Sequence, residues 1–206
     1  MADAMDSKSI GSDTVWVQVP PSAPNSLNIA FKLFFFYRCI MIRCILFDRD
    51  GTLGELSDKR FPETFSPFCD IAKVFHTLKK RGYFVGIITN QSSIARGTAK
   101  DYDYAKEFNS YGVDVWEICP HDNADHCDCR KPKSGLLLRA AQKLKISLNE
   151  CLVVGDRESD VLCAKNVGAQ AILVMTGYGI NEHFIVREKY PDVPILNRFD
   201  EILNLY

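Results

Sequence analysis

Two aspartates separated by one residue, Asp48 and Asp50, follow a short apolar run and precede Gly51. A glycine there permits the tight turn that lets both carboxylates face one cation. One carboxylate could then attack a phosphorus atom while the other moves a proton, with a divalent ion neutralising the phosphate oxygens. A solvated acidic turn would use the same residues, because Asp and Gly are common in turns.

Three further segments could complete such a site. Asp156 and Asp160 offer two more carboxylates, although acidic residues also favour an ordinary helix N-terminus. The segment 89–92 offers hydroxyl, amide and N–H groups that suit phosphate oxygens, but it could equally be a helix cap. Arg130 and Lys131 offer fixed positive charge, whereas a basic pair by itself is usually solvated surface.

A second kind of chemistry is indicated by three thiols and an imidazole within eleven positions. Cys119, His121, Cys127 and Cys129 match a closed tetrahedral zinc site of the Cys₃His type. His126 is a rival imidazole, but its place directly before Cys127 is geometrically awkward. Because no ligand position stays open, we expect the zinc to be structural, holding a loop with few apolar residues.

The elements that must position these residues alternate along the chain. Apolar runs predict parallel strands at 42–47, 84–88, 113–118, 151–154 and 171–174, and apolar stripes predict helices at 67–80 and 136–144. This alternation predicts an α/β fold with a doubly wound parallel sheet, Rossmann-like, carrying a short zinc-binding loop and a minimal cap.

Polar side chains fall where the predicted strands end, at Asp48, Thr89, Cys119 and Asp156. Ligands of open α/β sheets bind at the carboxyl edge of the strands. We therefore expect the four strand ends to converge on one site.

Composition limits the function classes. The chain has 206 residues and a net charge of −1, so it lacks the basic excess of a dedicated nucleic-acid binder. Residues 1–40 read as a disordered leader, or as upstream sequence translated by mis-annotation ahead of Met41, which leaves 41–206 as a single domain. Charges interrupt the apolar stretch 29–47, so neither a membrane span nor a signal peptide is expected.

Taken in order, the four segments resemble the haloacid dehalogenase-like phosphatase family, over roughly residues 41–179. The similarity is to its zinc-containing subgroup of D-glycero-D-manno-heptose 1,7-bisphosphate phosphatases and histidinol phosphatases. The resemblance implies that Asp48 is the nucleophile, forming an aspartyl-phosphate, and that Asp50 is the general acid and base. Asp48, the main-chain carbonyl of Asp50, and Asp156 match the magnesium ligands.

The same resemblance assigns the remaining residues. Lys131 matches the cation that stabilises the phosphoryl group, and Cys119, His121, Cys127 and Cys129 match the zinc ligands. The expected phosphate- and substrate-binding residues are Thr89, Asn90, Gln91, Ser92, Arg130 and Arg157. The expected cofactors are therefore catalytic Mg²⁺ and structural Zn²⁺.

The substrate is expected to be a small phosphorylated metabolite. The segments 89–97 and 176–179 resemble the heptose enzymes, whereas Arg157 after Gly155-Asp156 is closer to the histidinol phosphatases. We expect heptose 1,7-bisphosphate as substrate, with histidinol phosphate as the alternative.

Two other classes are open, a nucleic-acid 3′-phosphatase and a zinc-stabilised binding module without turnover. Near-neutral charge and the lack of a basic, aromatic-lined groove pattern argue against the first. The coincidence of four strand-end motifs argues against the second. Reduced core cysteines predict the cytoplasm, with no membrane or nucleic-acid partner, and a small cap predicts a monomer.

Overall fold

The computed structural model describes residues 41–56, 61–99 and 101–206, so the leader predicted at 1–40 lies outside the described residues. A parallel six-stranded sheet forms its centre. The strands are β1 Cys44–Phe47, β2 Phe84–Asn90, β3 Val115–Cys119, β4 Cys151–Gly155, β5 Gln170–Val174 and β6 Ile195–Leu196, in the spatial order β3-β2-β1-β4-β5-β6.

Helices cover both faces of this sheet. They are α1 Ile71–Lys80, α2 Ser92–Ala95, α3 Tyr104–Ser110, α4 Gly135–Leu144, α5 Glu158–Lys165 and α6 Gly179–Lys189, with short 3₁₀ helices at Pro62–Thr64, Asn123–Asp125, Leu148–Glu150 and Phe199–Asn204. Within the described residues, no helix is both long and apolar enough to cross a bilayer.

The central strands are apolar throughout because each of their faces packs against helices. Along β1, Cys44 and Leu46 join the core formed with α4 and α5, whereas Ile45 and Phe47 join the core formed with α1 and α3. All four side chains are inaccessible to solvent. Two cores on opposite faces are what a doubly wound sheet requires, and the predicted α/β fold class is confirmed.

The observed elements differ from the predicted ones mainly at their ends. The helix predicted from residue 67 begins at Ile71, because Asp70 caps it by accepting from Lys73 N at 3.0 Å. Pro67 instead forms a bridge with Gly54, and the main chain of Phe68 donates to Leu53 O. These contacts hold the approach to α1 against the turn that follows β1.

The strand predictions are also displaced by a few residues. The strand predicted from 42 begins at Cys44 and the one predicted from 113 begins at Val115. Strand β2 runs on through Asn90, so Thr89 lies inside the ladder rather than after it. The carboxyl ends of β1, β2, β3 and β4 nevertheless lie side by side, as the polar strand-end residues predict.

Candidate active site

A pocket of about 160 Å³ opens at the carboxyl edge of the sheet. Outside the Cys/His cluster, every predicted site residue lines it except Asp156, which is fully buried. The lining includes Asp48, Asp50, Thr89, Asn90, Gln91, Ser92, Arg130, Lys131 and Arg157. The structure therefore brings the separate sequence motifs into one cavity.

An ion-pair chain formed by Lys131 lies at the buried end of the site. Its Nζ is 2.9 Å from Asp48 Oδ1 and 2.6 Å from Asp160 Oδ1, and it donates to Ile88 O at 2.9 Å. Burial opposes the charge, yet Asp160 and Asp48 hold the pKa of the Lys131 ammonium above its ordinary value. Lys131 is therefore a permanent cation beside the carboxylate of Asp48.

Asn90 holds the main chain of Lys131 from both sides of the peptide. Its Oδ1 accepts from Lys131 N at 3.1 Å, and its Nδ2 donates to Lys131 O at 3.2 Å. Both ends of the amide are thus engaged within the protein. Although Asn90 lines the pocket, its clearest contribution is to fix where the Lys131 side chain starts.

Asp156 is an unusual carboxylate because it is buried among other acids. Burial is the largest cause, followed by the charges of Asp160 and Asp48, and together they raise the pKa of Asp156 to about 8. Its Oδ2 accepts from Tyr178 N at 2.8 Å, while no partner for its buried Oδ1 occurs among the described residues. Such an atom is what a bound cation would satisfy.

Two glycines make room for the Asp156 carboxylate. A Cβ on Gly51 would lie 2.1 Å from Asp156 Oδ2, and a Cβ on Gly177 would lie 2.2 Å from it. Gly51 also has φ of +84°, a conformation that side-chain-bearing residues rarely adopt. Carboxylate oxygens of Asp48, Asp156 and Asp160 lie within 4.8 Å of one another, a donor set of the type that Mg²⁺ prefers.

Asp50 stands at the opposite side of the Gly51 turn from this cluster of acids in the sequence. Its Oδ1 is 2.8 Å from an Arg49 guanidinium nitrogen, and its Oδ2 accepts from Gln91 Nε2 at 2.6 Å. Gln91 Nε2 also donates to Thr89 Oγ1 at 3.0 Å. Both oxygens of the second carboxylate are therefore held by named side chains.

The rim of the pocket carries three arginines in different electrostatic settings. Arg96 pairs with Asp122 at 2.6 Å, and Arg157 lies 3.3 Å from Glu182 with its guanidinium 4.2 Å above the Tyr178 ring. Arg130 instead donates to the neutral acceptors Asn123 Oδ1 at 2.5 Å and His121 O at 3.1 Å.

The Cys/His cluster gathers as the spacing predicts. Sγ–Sγ distances among Cys119, Cys127 and Cys129 are 3.3 to 3.6 Å, and His121 Nδ1 lies 3.3 and 3.7 Å from two of these sulfurs. A tetrahedral zinc with bonds of about 2.3 Å to sulfur would separate the sulfurs by about 3.8 Å. His126 is exposed and is not part of the group.

Several residues of the site region carry no distinct sequence signal. Asp160 stands at a spacing typical of an acidic helix start, yet its side chain is buried against Lys131. Arg49 reads as the variable residue between two aspartates, and Glu107 lies in a polar helix. Their roles depend on contacts across 58 positions of sequence, which local patterns do not encode.

The carboxyl-terminal part of the chain matches the HAD-hydrolase-like family model over residues 128–201. Relatives match over a longer range. The D-glycero-β-D-manno-heptose-1,7-bisphosphate 7-phosphatase of Pseudomonas putida is 36% identical over 149 residues, covering 67% of this chain and 85% of that protein. The corresponding α-heptose enzyme of Campylobacter jejuni is 32% identical over 146 residues, covering 65% and 82%.

Solved structures give the same result at the level of the fold. The D,D-heptose 1,7-bisphosphate phosphatase of B. bronchiseptica, crystallised with magnesium and phosphate, superposes with a TM-score of 0.69 at 25% identity. The match covers 79% of this chain and 97% of that one.

Proposed function

The chain belongs to the haloacid dehalogenase-like family of phosphoric monoester hydrolases, and we propose that it works through a phosphorylated Asp48. The observation that carries this proposal is the pairing of Asp48 with the buried Lys131 at the pocket end. An anionic nucleophile beside a fixed cation can approach a negatively charged phosphoryl group. A domain spanning 41–206 would carry the whole reaction.

The reaction has two steps. An oxygen of Asp48 attacks phosphorus, the bond from phosphorus to the leaving oxygen breaks, and Asp50 gives that oxygen a proton. Asp50 then takes a proton from water as the water oxygen attacks the same phosphorus. Inorganic phosphate leaves, and both aspartates return to their starting states.

Phosphate oxygens would be held by the segment that closes the pocket opposite Asp48. Thr89, Gln91 and Ser92 present hydroxyl, amide and N–H groups there, in support of the predicted phosphate site. Asn90 serves the same purpose indirectly, because its amide fixes the main chain of Lys131.

The residues at the acidic end of the site suit a magnesium ion. We assign it to Asp48, the main-chain carbonyl of Asp50, and Asp156, whose orphaned Oδ1 is an unsatisfied ligand atom. Magnesium bound there would neutralise charge on the transferred phosphoryl group. Asp160 is engaged with Lys131 at 2.6 Å, so we place it as the partner of that lysine.

The Cys/His cluster suits a structural zinc. Cys119, His121, Cys127 and Cys129 supply four ligands at near-tetrahedral spacing, which leaves no position open for a substrate. Arg130 and Lys131 follow Cys129 directly in the sequence. The zinc would thereby fix where these two cations stand relative to the pocket.

We propose a heptose 1,7-bisphosphate as the substrate. Arg130 supports this choice, since a guanidinium with neutral partners at the pocket rim can take a second phosphate. Relatives that act on this class of sugar bisphosphate are 32–36% identical to the chain. The predicted monomeric state and cytoplasmic location remain predictions.

The test compares kcat/KM on both anomers of the heptose bisphosphate, on histidinol phosphate and on a 3′-phosphorylated oligonucleotide. We expect the heptose substrates to be preferred, and we expect Asp48→Asn to abolish magnesium-dependent phosphate release with the fold intact. Turnover retained in Asp48→Asn would refute the nucleophile assignment. A preference for histidinol phosphate or the oligonucleotide would refute the substrate assignment alone.

A further inference from the structure

Arg49 lies between the two aspartates of the proposed reaction, and its side chain has no solvent-accessible surface. A charged side chain is almost never fully buried unless it is paired and hydrogen-bonded, because leaving water is costly. The partners of this guanidinium therefore show what its burial achieves.

The guanidinium is fixed on every side. Its Nε lies 2.9 and 3.1 Å from the two oxygens of Glu107, and one terminal nitrogen donates to Glu107 at 3.0 Å and to Pro62 O at 2.9 Å. Its flat face lies 4.0 Å from the centre of the Phe65 ring. The remaining terminal nitrogen donates to Asp50 Oδ1 at 2.8 Å.

Glu107 is itself held in place. Only 9% of its side chain is exposed, and it accepts from Tyr102 OH at 2.7 Å and from Tyr111 OH at 3.1 Å. Glu107 is not among the residues that line the pocket. Its direct contacts are with Arg49 and two tyrosines, so an effect on the reaction would have to pass through Arg49.

A second connection reaches Asp50 from the same helix. Gln91 Nε2 donates to Asp50 Oδ2 at 2.6 Å, and Gln91 Oε1 accepts from Tyr104 OH at 2.9 Å. Tyr104 and Glu107 both belong to α3. Each oxygen of the Asp50 carboxylate is thus held by one side chain, and α3 braces both of those side chains.

We propose that Arg49, braced by Glu107, is a positioning residue that fixes the Asp50 carboxylate for its two proton transfers. The inference rests on the proposed function, in which Asp50 protonates the leaving oxygen and then deprotonates the attacking water. A displacement of 1 Å can lower a rate about 10²-fold, so a carboxylate that serves two steps gains from a fixed position.

The contact with Asp50 separates this role from a purely structural one. A buried Arg–Glu pair can hold a loop to a helix with the donors that Glu107 and Pro62 already occupy. The third direction of the guanidinium fork is turned to the carboxylate that the reaction uses.

Pre-steady-state kinetics with p-nitrophenyl phosphate can detect the role, because p-nitrophenolate leaves without needing a proton. Phosphorylation of Asp48 then proceeds without Asp50, while hydrolysis of the acyl phosphate still needs it. A misplaced Asp50 should give a burst of p-nitrophenol, followed by slow turnover and a trapped phosphorylated enzyme. Acid quench followed by intact-mass measurement gives the phosphorylated fraction.

Two variants keep the test independent of folding. Arg49→Lys keeps the charge, but one ammonium cannot serve Glu107, Asp50 and Pro62 together. Arg49→Met combined with Glu107→Leu removes the buried pair as a unit, a change that proteins often tolerate. Asp50→Asn sets the upper limit of the phosphorylated fraction. Ile202→Ala, in the C-terminal 3₁₀ helix and fully buried, is the control for lost stability without a contact to Asp50.

We expect both Arg49 variants to lower steady-state turnover about 10- to 100-fold and to raise the phosphorylated fraction toward that of Asp50→Asn. Ile202→Ala should leave that fraction at the wild-type value. A wild-type fraction in the Arg49 variants would overturn the inference. Absence of phosphorylated enzyme even in Asp50→Asn would instead overturn the proposed aspartyl-phosphate chemistry.

Discussion

At the scale of single residues, the site is organised around where negative charge is tolerated. Asp48 and Asp160 share the buried cation of Lys131, whereas Asp156 has one oxygen on a main-chain N–H and one that no described residue satisfies. The acid that lacks a cation inside the protein is thus the one best suited to bind a metal.

Gly51→Ala should abolish magnesium-dependent activity. Its new methyl group would lie 2.1 Å from Asp156 Oδ2, so the carboxylate must move. Gly82→Ala is the matched control, because Gly82 has a similar φ of +93° with no atom within 4 Å of the added carbon.

Both alanine variants should lose about 1–2 kcal/mol of unfolding free energy from the left-handed backbone. Only Gly51→Ala should also lose stabilisation by added magnesium, measured by urea denaturation. Equal magnesium responses in the two variants would contradict the account of Asp156 as a ligand.

Lys131→Met should remove turnover and destabilise the magnesium-free protein by about 3–5 kcal/mol, because two buried carboxylates lose their shared cation. Lys189→Met is the control, since Lys189 makes a solvent-exposed ion pair with Glu158 at 2.9 Å. Urea unfolding and phosphate release measure the two effects. Unchanged stability in Lys131→Met would show that the acids are not charged together in the folded protein.

At the scale of elements, the zinc loop and the strand ends have separate tasks. The loop between β3 and α4 contains the four Cys/His ligands or adjoins them, and Arg130 and Lys131 follow its last cysteine. The only helical element of the loop is the three-residue 3₁₀ helix Asn123–Asp125, none of whose residues is buried. A metal is therefore the natural source of its order.

Cys127→Ser should lose bound zinc and lower kcat/KM, because the loop that places Arg130 would no longer be tied to β3. Cys69→Ser is the control, a partly buried thiol outside the cluster. Elemental analysis of the purified variants reports the metal, and thiol labelling reports whether Cys119 and Cys129 become accessible. Full activity in a zinc-free Cys127→Ser protein would contradict the structural role.

The sequence predicts the elements whose burial is continuous. Strands β1 and β4 are apolar at every position, and a run of that kind needs no knowledge of tertiary contacts. Helix α6 lacks an apolar stripe, since its buried positions are Gly179 and Val186, and β6 is only two residues long. These elements form because the preceding ones offer a surface, so periodicity does not reveal them.

The site shows the same division between local and distant information. Asp48, Asp50 and Lys131 stand in recognisable motifs at strand ends, and the fold alone brings them together. Glu107 reaches Arg49 from another helix, and Asn90 reaches the main chain of Lys131 across 41 positions. Contacts of that range follow from the completed sheet, which is why no local pattern predicts them.

At the scale of the whole molecule, the acidic site and the stability of the fold are linked through protons and magnesium. Asp156 takes up a proton more readily when folded than when unfolded, because burial and neighbouring acids raise its pKa from 3.8 to about 8. Between these values the folded protein binds a proton at Asp156 that the unfolded chain does not. Its contribution to stability is therefore present below about pH 4 and is lost as the pH rises toward 8.

In magnesium-free buffer, wild-type protein should accordingly lose more unfolding free energy than Asp156→Asn as the pH rises from 5 to 8. The difference in slope should approach about 1.4 kcal/mol per pH unit, the value for one proton. Saturating magnesium should flatten the wild-type profile, because a bound cation stabilises the ionised carboxylate, and at about 100 times its Kd it should add about 2.7 kcal/mol. Urea denaturation at several pH values with and without magnesium measures both effects. Parallel pH profiles for the two proteins would show that Asp156 is ionised in the metal-free fold, and its burial would then need a cation from the protein itself.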